Sequence, residues 1–253
     1  MDDVQPAGDL DNAQQTRLWW WLGGALLLVV VMLVAGWTWV TVRGEAGGGH
    51  VVTGVVEARD ATFVLLDGAD VIRLRTADLG EETYRVSTPR DASVRPVVSV
   101  THGDLLTSLR DTGQDGPALV EVVLHEAVRW HVRLDGGAKE QRLDLRTARL
   151  GGVELSSGAH RIELALPPAD GTLRTVLSGG ANQVVVRLAG DAPVRVRAGG
   201  GAGTVTVDGA AHSGVAGGTT FTPADWPSAT ERYDIDAAAG VASLTVERSD
   251  AGR

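Results

Sequence analysis

The sequence predicts an all-β domain, a flattened β-solenoid of two-strand repeats about 21 residues long, preceded by one transmembrane α-helix. Three observations carry this. Residues 18–42 are uncharged and apolar, the chain beyond residue 50 alternates apolar and polar residues in short runs, and glycines recur there at a near-constant step. Strict alternation puts every second side chain on one face of a strand, whereas an amphipathic helix repeats every 3.6 residues. No helical period is found past residue 50. A β-sandwich from the same strands is the alternative architecture.

The segments follow in order. Residues 1–17 form a polar tail carrying Asp2, Asp3, Asp9 and Asp11. Residues 18–42 (LWWWLGGALLLVVVMLVAGWTWVTV) lie between Arg17 and Arg43. As a helix they would span roughly 37 Å, enough to cross a hydrocarbon layer of about 30 Å. Trp19, Trp20 and Trp21 at one end and Trp37 and Trp39 at the other suit the two membrane interfaces, where indole rings concentrate. The run is longer than a cleaved signal's apolar core and its leading segment is acidic, which favours an anchor. Flanking charge is nearly balanced. A short polar tail before a large C-terminal domain is the arrangement of a signal-anchor, so residues 51–253 are expected outside the cytoplasm. Residues 43–50 read as a linker.

The repeat is defined by Gly116, Gly137, Gly158, Gly180 and Gly201, spaced by 21, 21, 22 and 21 residues. Apolar residues recur near offsets 4, 6 and 8 and again near 14, 16 and 18. Examples are Val120, Val122 and Leu124 followed by Trp130, Val132 and Leu134, and later Val184, Val186 and Leu188 followed by Val194 and Val196. Gln141 breaks the pattern in the second unit. A two-strand unit leaves an apolar face uncovered, so units must stack. Gly-Ala is expected at a corner, where glycine accepts positive φ. The clear repeats cover residues 116–207, residues 208–253 are expected to cap the stack, and Gly68-Ala69 opens a diverged unit. Looser strands are predicted at Val55–Ala58, Phe63–Leu66, Val71–Leu74, Tyr84–Val86 and Val97–Val100. Ala210–Thr230 reads as a loop-rich cap, and Val241–Glu247 as a closing strand.

Composition excludes several chemistries. With no cysteine there are no disulfides, thiolate metal sites or thiol nucleophiles. A net charge of −9 argues against nucleic-acid binding. Lys139 is the sole lysine amid abundant Arg, Ala, Gly and Val, a bias of GC-rich bacterial genomes. HEAVRWH separates His125 and His131 by six residues, whereas zinc-binding helices need four. The glycines of GGGAGTVTVDG lead into a strand rather than a helix, unlike a phosphate cradle. Neither LSSG nor LSGG forms a nucleophile elbow. Catalytic, cofactor and metal residues are therefore expected to be none.

The stretches SGGANQVVVRLAGDAPVRVRAGGGAGTVTVDG and RYDIDAAAGVASLTVER resemble the bacterial putative-adhesin or toastrack group of β-solenoid domains. That group includes regions of cell-wall-active-antibiotic response proteins and many membrane-anchored actinobacterial proteins. The resemblance covers about half of the chain clearly. It implies an envelope-facing scaffold or stress-sensing module and supplies no catalytic residues. Many relatives carry several membrane helices, whereas this chain offers one.

One surface pattern is a candidate interaction stripe. Outward positions of each unit's second strand hold Arg129, His131 and Arg133, then Glu154, then Arg174, then Arg195 and Arg197. Stacked units would align them into a mostly basic row able to meet an anionic envelope polymer, lipid headgroups or a membrane protein. The competing reading is a solvated face of cross-strand ion pairs. First-strand outward positions lean acidic (Glu121, Asp144, Glu163, Asp208), with Arg187 as the exception. The expected function is a non-enzymatic envelope-binding, sensing or scaffold module at the cell membrane. A passive spacer is the alternative, and a cryptic hydrolase comes third.

Overall fold

The structure, a computed structural model, describes residues 49–249. The expected membrane helix and its five tryptophans lie outside these residues. Among the described residues no helix is long and apolar enough to cross a membrane. They form strands only. The first seven are β1 (His50–Gly54), β2 (Asp60–Leu65), β3 (Ala69–Ala77), β4 (Tyr84–Thr88), β5 (Val94–Thr101), β6 (Asp104–Asp111) and β7 (Leu119–His125). The middle of the chain adds β8 (Arg129–Leu134), β9 (Ala138–Asp144), β10 (Arg149–Leu155), β11 (Ala159–Leu166), β12 (Thr172–Leu177) and β13 (Ala181–Leu188). Then come β14 (Val194–Ala198), β15 (Ala202–Val207), β16 (Ala210–Val215), β17 (Thr219–Phe221), β18 (Arg232–Ala237) and β19 (Val241–Arg248).

These strands make two mixed sheets around one apolar core. Sheet A runs β1-β4-β7-β3-β9-β11-β13-β19-β15-β16, and sheet B runs β17-β14-β18-β12-β10-β8-β2-β6-β5. From β8 to β15 the chain alternates between the sheets, and each pass pairs in parallel with a strand of another pass. Antiparallel pairs are confined to the two ends of the stack.

Alternation explains the interior. In sheet A one inward rung is Val120, Ile72, Gln141, Ile162, Val184, Leu244 and Val205, and all seven side chains are buried. In sheet B the matching rung is Phe63, Val132, Val153, Thr175, Ile235 and Val196. Each fully buried Val, Leu, Ile or Phe contributes about 1.5–3 kcal/mol, so the ladders hold the sheets together. The apolar positions assigned to the interior by periodicity are buried, apart from Val207, which is half-buried.

The spatial order of passes differs from the expected sequential stack. The β2–β3 pass lies between the passes of β6–β7 and β8–β9, so the chain crosses over it in going from β7 to β8. At the other end β18–β19 slots between β12–β13 and β14–β15. The strand expected to close the domain, β19, is thus an interior strand paired with β13 and β15. The β18–β19 pass has hydrogen-bonded neighbours on both sides, whereas β1 stands at the edge of sheet A with β4 as its one partner.

Two buried rings secure these crossings. Trp130 Nε1 donates to the His125 carbonyl at 2.9 Å, pinning the β7–β8 turn. The Tyr233 hydroxyl on β18 lies within hydrogen-bond reach of the carbonyls of Pro167 (2.8 Å) and Ala189 (2.5 Å) and can donate its one hydrogen to either, joining the loops on either side of the inserted pass. Burial raises the Tyr233 phenol above its ordinary pKa, and does the same at Tyr84.

Four local expectations are corrected. The segment read as a loop-rich cap, Ala210–Thr230, holds β16 and β17, which pair antiparallel with β15 and β14. Residues 55–58 are not a strand; β1 lies just before them, at residues 50–54. β6 was not anticipated, because its polar residues blur the alternation. The repeat glycines are not there for positive φ: of the five, only Gly201 has it, at +83°. Close approach is the reason instead. A Cβ on Gly137 would sit 3.1 Å from the Gly158 carbonyl oxygen, and one on Gly158 would sit 3.0 Å from that of Gly180. Those carbonyls accept the next residue's amide, Ala138 N–H at 3.3 Å and Ala159 N–H at 3.1 Å, so the corners are laced rung to rung.

Candidate interaction surfaces

The predicted stripe lies on the outer face of sheet B, but the inserted pass divides it. Arg129, His131 and Arg133 are on β8, Arg174 is on β12, and Arg195 and Arg197 are on β14. Between β12 and β14 stands β18, which brings Asp234 beside Arg174 and Arg195, and Asp236 beside Arg197. Arg195 forms a two-pronged pair with Asp234 at 3.0 and 2.8 Å. That contact holds the Arg195 guanidinium above its ordinary pKa. Its plane also covers the Trp226 ring at 3.8 Å, with Arg232 near the same ring at 4.4 Å. Trp226 is buried and donates its Nε1 hydrogen to the Tyr233 carbonyl. Arg195 is thereby committed to holding the 222–231 loop against β18. Arg197 reaches Asp236 at 3.5 Å, and Arg133 reaches Asp135 at 2.7 Å.

The other end of the stripe is more basic than expected. Arg129 stands directly across from Arg149 on β10, a residue the repeat pattern did not single out. A register shift after Leu150 hid it. On the next rung His131 faces Gly152, with Arg174 beyond. The His131 ring lies over Gly151, where a Cβ would come within 2.3 Å of Nε2. The bulge and its glycines clear room for the imidazole. Arg129 is loosely held by Asp60 at 3.8 Å and Asp170 at 4.0 Å. Among the described residues, Arg149 and Arg174 have no carboxylate within ion-pair distance.

The outer face of sheet A is less acidic than the first-strand pattern implied. One rung reads Glu121, Arg73, Arg142, Glu163, and the next reads Arg75, Asp144, Ala165, Arg187. The two rungs border a groove of about 490 Å³. Its floor includes Val123 and Ala165, outward-facing residues too short to fill the space between arginines. Arg146 hydrogen-bonds Asp144 at 2.7 and 2.8 Å and holds that carboxyl below its usual pKa, against the opposing effect of burial. Periodicity missed this site because Arg73, Arg75 and Arg146 fall outside the unit positions compared.

The two histidines of HEAVRWH are on different sheets. His125 ends β7 in sheet A, where its Nε2 lies 3.2 Å from the Gly80 carbonyl, while His131 is on β8 in sheet B. Among the described residues no three His, Asp or Glu side chains converge as a metal site.

No family model and no curated protein matches the chain. Solved structures do. A putative cell adhesion protein from Clostridium sporogenes aligns with a TM-score of 0.60 at 16% identity, over 79% of this chain and 98% of that one. A putative adhesin from Bacteroides fragilis aligns over 78% of this chain and 96% of that one at 9% identity, with a TM-score of 0.23. The first likeness shows a shared all-β fold, in agreement with the resemblance read from the sequence; the second superposes too poorly to carry weight.

Proposed function

We propose that the chain is a membrane-anchored, extracytoplasmic, non-catalytic β-solenoid that presents a rigid side-chain ladder to anionic cell-envelope material. The observation that carries this reading is the basic end of sheet B. Arg129 and Arg149 are cross-strand neighbours, a like-charge arrangement that costs stability when no anion is present. Arg174 extends the patch across Gly152. Guanidinium groups favour phosphate and carboxylate through planar, paired hydrogen bonds. The interleaved stack supports the same role, since strands bonded on both sides hold those groups at fixed spacing, and preorganised contacts lose little entropy on binding. An anchor at residues 18–42 would deliver this surface to the membrane exterior. The putative cell adhesion protein from Clostridium sporogenes that shares the fold fits such a module.

The paired state of Arg133, Arg195 and Arg197 favours a second reading, a spacer whose charges serve solubility and cross-strand pairing. Retention of the full chain on purified cell envelopes, measured against salt, separates the two. The binding reading expects retention that falls steeply with salt and is lost in an Arg129→Ser/Arg149→Ser/Arg174→Ser variant. Salt-independent retention, or none, would favour the spacer.

A further inference from the structure

The groove on sheet A has the chemistry of a ligand site distinct from the patch on sheet B. Its central feature is a like-charge contact: Arg73 and Arg142 are direct cross-strand partners. Elsewhere on this face the register sets opposite charges side by side, as with Glu140 and Arg161, Arg142 and Glu163, and Arg187 and Glu247. Arg142 turns away from Arg73 to bond Glu140 at 2.7 Å, and Arg73 leans to Glu121 at 3.2 Å. Arg75, exposed on the adjoining rung, has no carboxylate within ion-pair distance among the described residues. At the far side Arg187 is drawn to Glu247 at 3.0 Å. Arg75 and Arg187 are three strand spacings apart, roughly 14 Å. Ala165 leaves the space between them open.

Charge, floor and size together restrict the occupant. The groove lining holds five arginines and three carboxylates, and Glu140 and Glu247 just outside it pair with Arg142 and Arg187, which leaves Arg75 as the lining cation without an ion-pair partner among the described residues. Those carboxylates would repel a bare polyanion, yet they accept hydrogens well from hydroxyl groups. The apolar floor suits a flat carbon face, and the volume lies in the range of small-molecule sites. We propose that this groove binds a saccharide unit bearing one anionic group, a phosphate or a carboxylate. The anion meets Arg75 and Arg73, the ring lies over Val123 and Ala165, and hydroxyls donate to Glu121 and Glu163.

Calorimetric titration of the full chain in detergent tests this, with glucose 1-phosphate, glucuronate, glucose and inorganic phosphate as probes. At least one of the two sugar anions is expected to bind at least about tenfold more tightly than glucose or phosphate, a difference of about 1.4 kcal/mol. Binding by only one of them supports the site and identifies its anion. Arg75→Ser and Ala165→Leu should each weaken binding at least about tenfold while leaving the melting temperature unchanged, because both side chains face outward. Equal binding of glucose or of phosphate, no binding of either sugar anion, or full binding by the Ala165→Leu variant would overturn the proposal. The Arg129→Ser/Arg149→Ser/Arg174→Ser variant should titrate like the parent chain, which keeps this site separable from envelope retention.

Discussion

Gln141 should be a stability defect that one substitution repairs. Its side chain is fully buried on the inward rung between Ile72 and Ile162, and neither its amide oxygen nor its amide nitrogen has a partner among the described residues. Burying an amide without hydrogen bonds costs about 1–3 kcal/mol on mutational scales. Leucine has a similar size and removes that cost, so Gln141→Leu should stabilise the protein by about 2 kcal/mol. In a domain of this size each kcal/mol raises Tm by about 2–4 °C, giving a rise of roughly 4–8 °C. The converse change one strand away, Ile162→Gln, should lower Tm by a comparable amount. Thermal melting followed by circular dichroism measures both. A lower Tm for Gln141→Leu would refute the reasoning and mean that the amide is satisfied inside the core.

Other consequences follow from the same packing. A Cβ on Gly179 would fall 2.1 Å from the Ser157 carbonyl carbon, so Gly179→Ala should cost more than about 3 kcal/mol. Gly158→Ala, with its nearest contact at 3.0 Å, should cost less, and equal denaturation midpoints would refute the close-approach account. Tyr84 and Tyr233 have raised pKa values, so their contribution to stability is complete below about pH 10, where unfolded tyrosine begins to ionise. It is lost as pH rises toward the folded-state values. Tyr84→Phe should therefore flatten the alkaline fall in urea-unfolding stability, and an unchanged slope would exclude Tyr84 as a contributor. Asp144 has a lowered pKa, so its contribution is present above about pH 4 and lost as pH falls through the folded value. Asp144→Asn should lessen acid sensitivity in the same measurement. Trp226→Ala removes the ring between Arg195 and Arg232 and should raise proteolytic cleavage within residues 222–231, while an unaltered cleavage rate would show the loop is held otherwise.

Local patterning determined the strands of the repeats between residues 116 and 207 and their inward set, because alternation with period two is a property of one strand and its burial, while the polar β6, β16 and β17 escaped it. Ile162, Leu164 and Leu166, for example, could be assigned to the interior without knowing their neighbours. Which pass lies beside which was decided only by the tertiary structure. Repeats with the same apolar ladder are nearly interchangeable as partners, so the sequence could not reveal that β18–β19 displaces β14–β15 from β12–β13. That exchange set Asp234 against Arg195 and broke the basic stripe. The role of the repeat glycines likewise depends on a carbonyl in the adjacent pass. So does the groove on sheet A, where Arg73 and Arg142 are far apart along the chain and meet only through parallel pairing, because side-chain contacts across a sheet follow register rather than sequence distance.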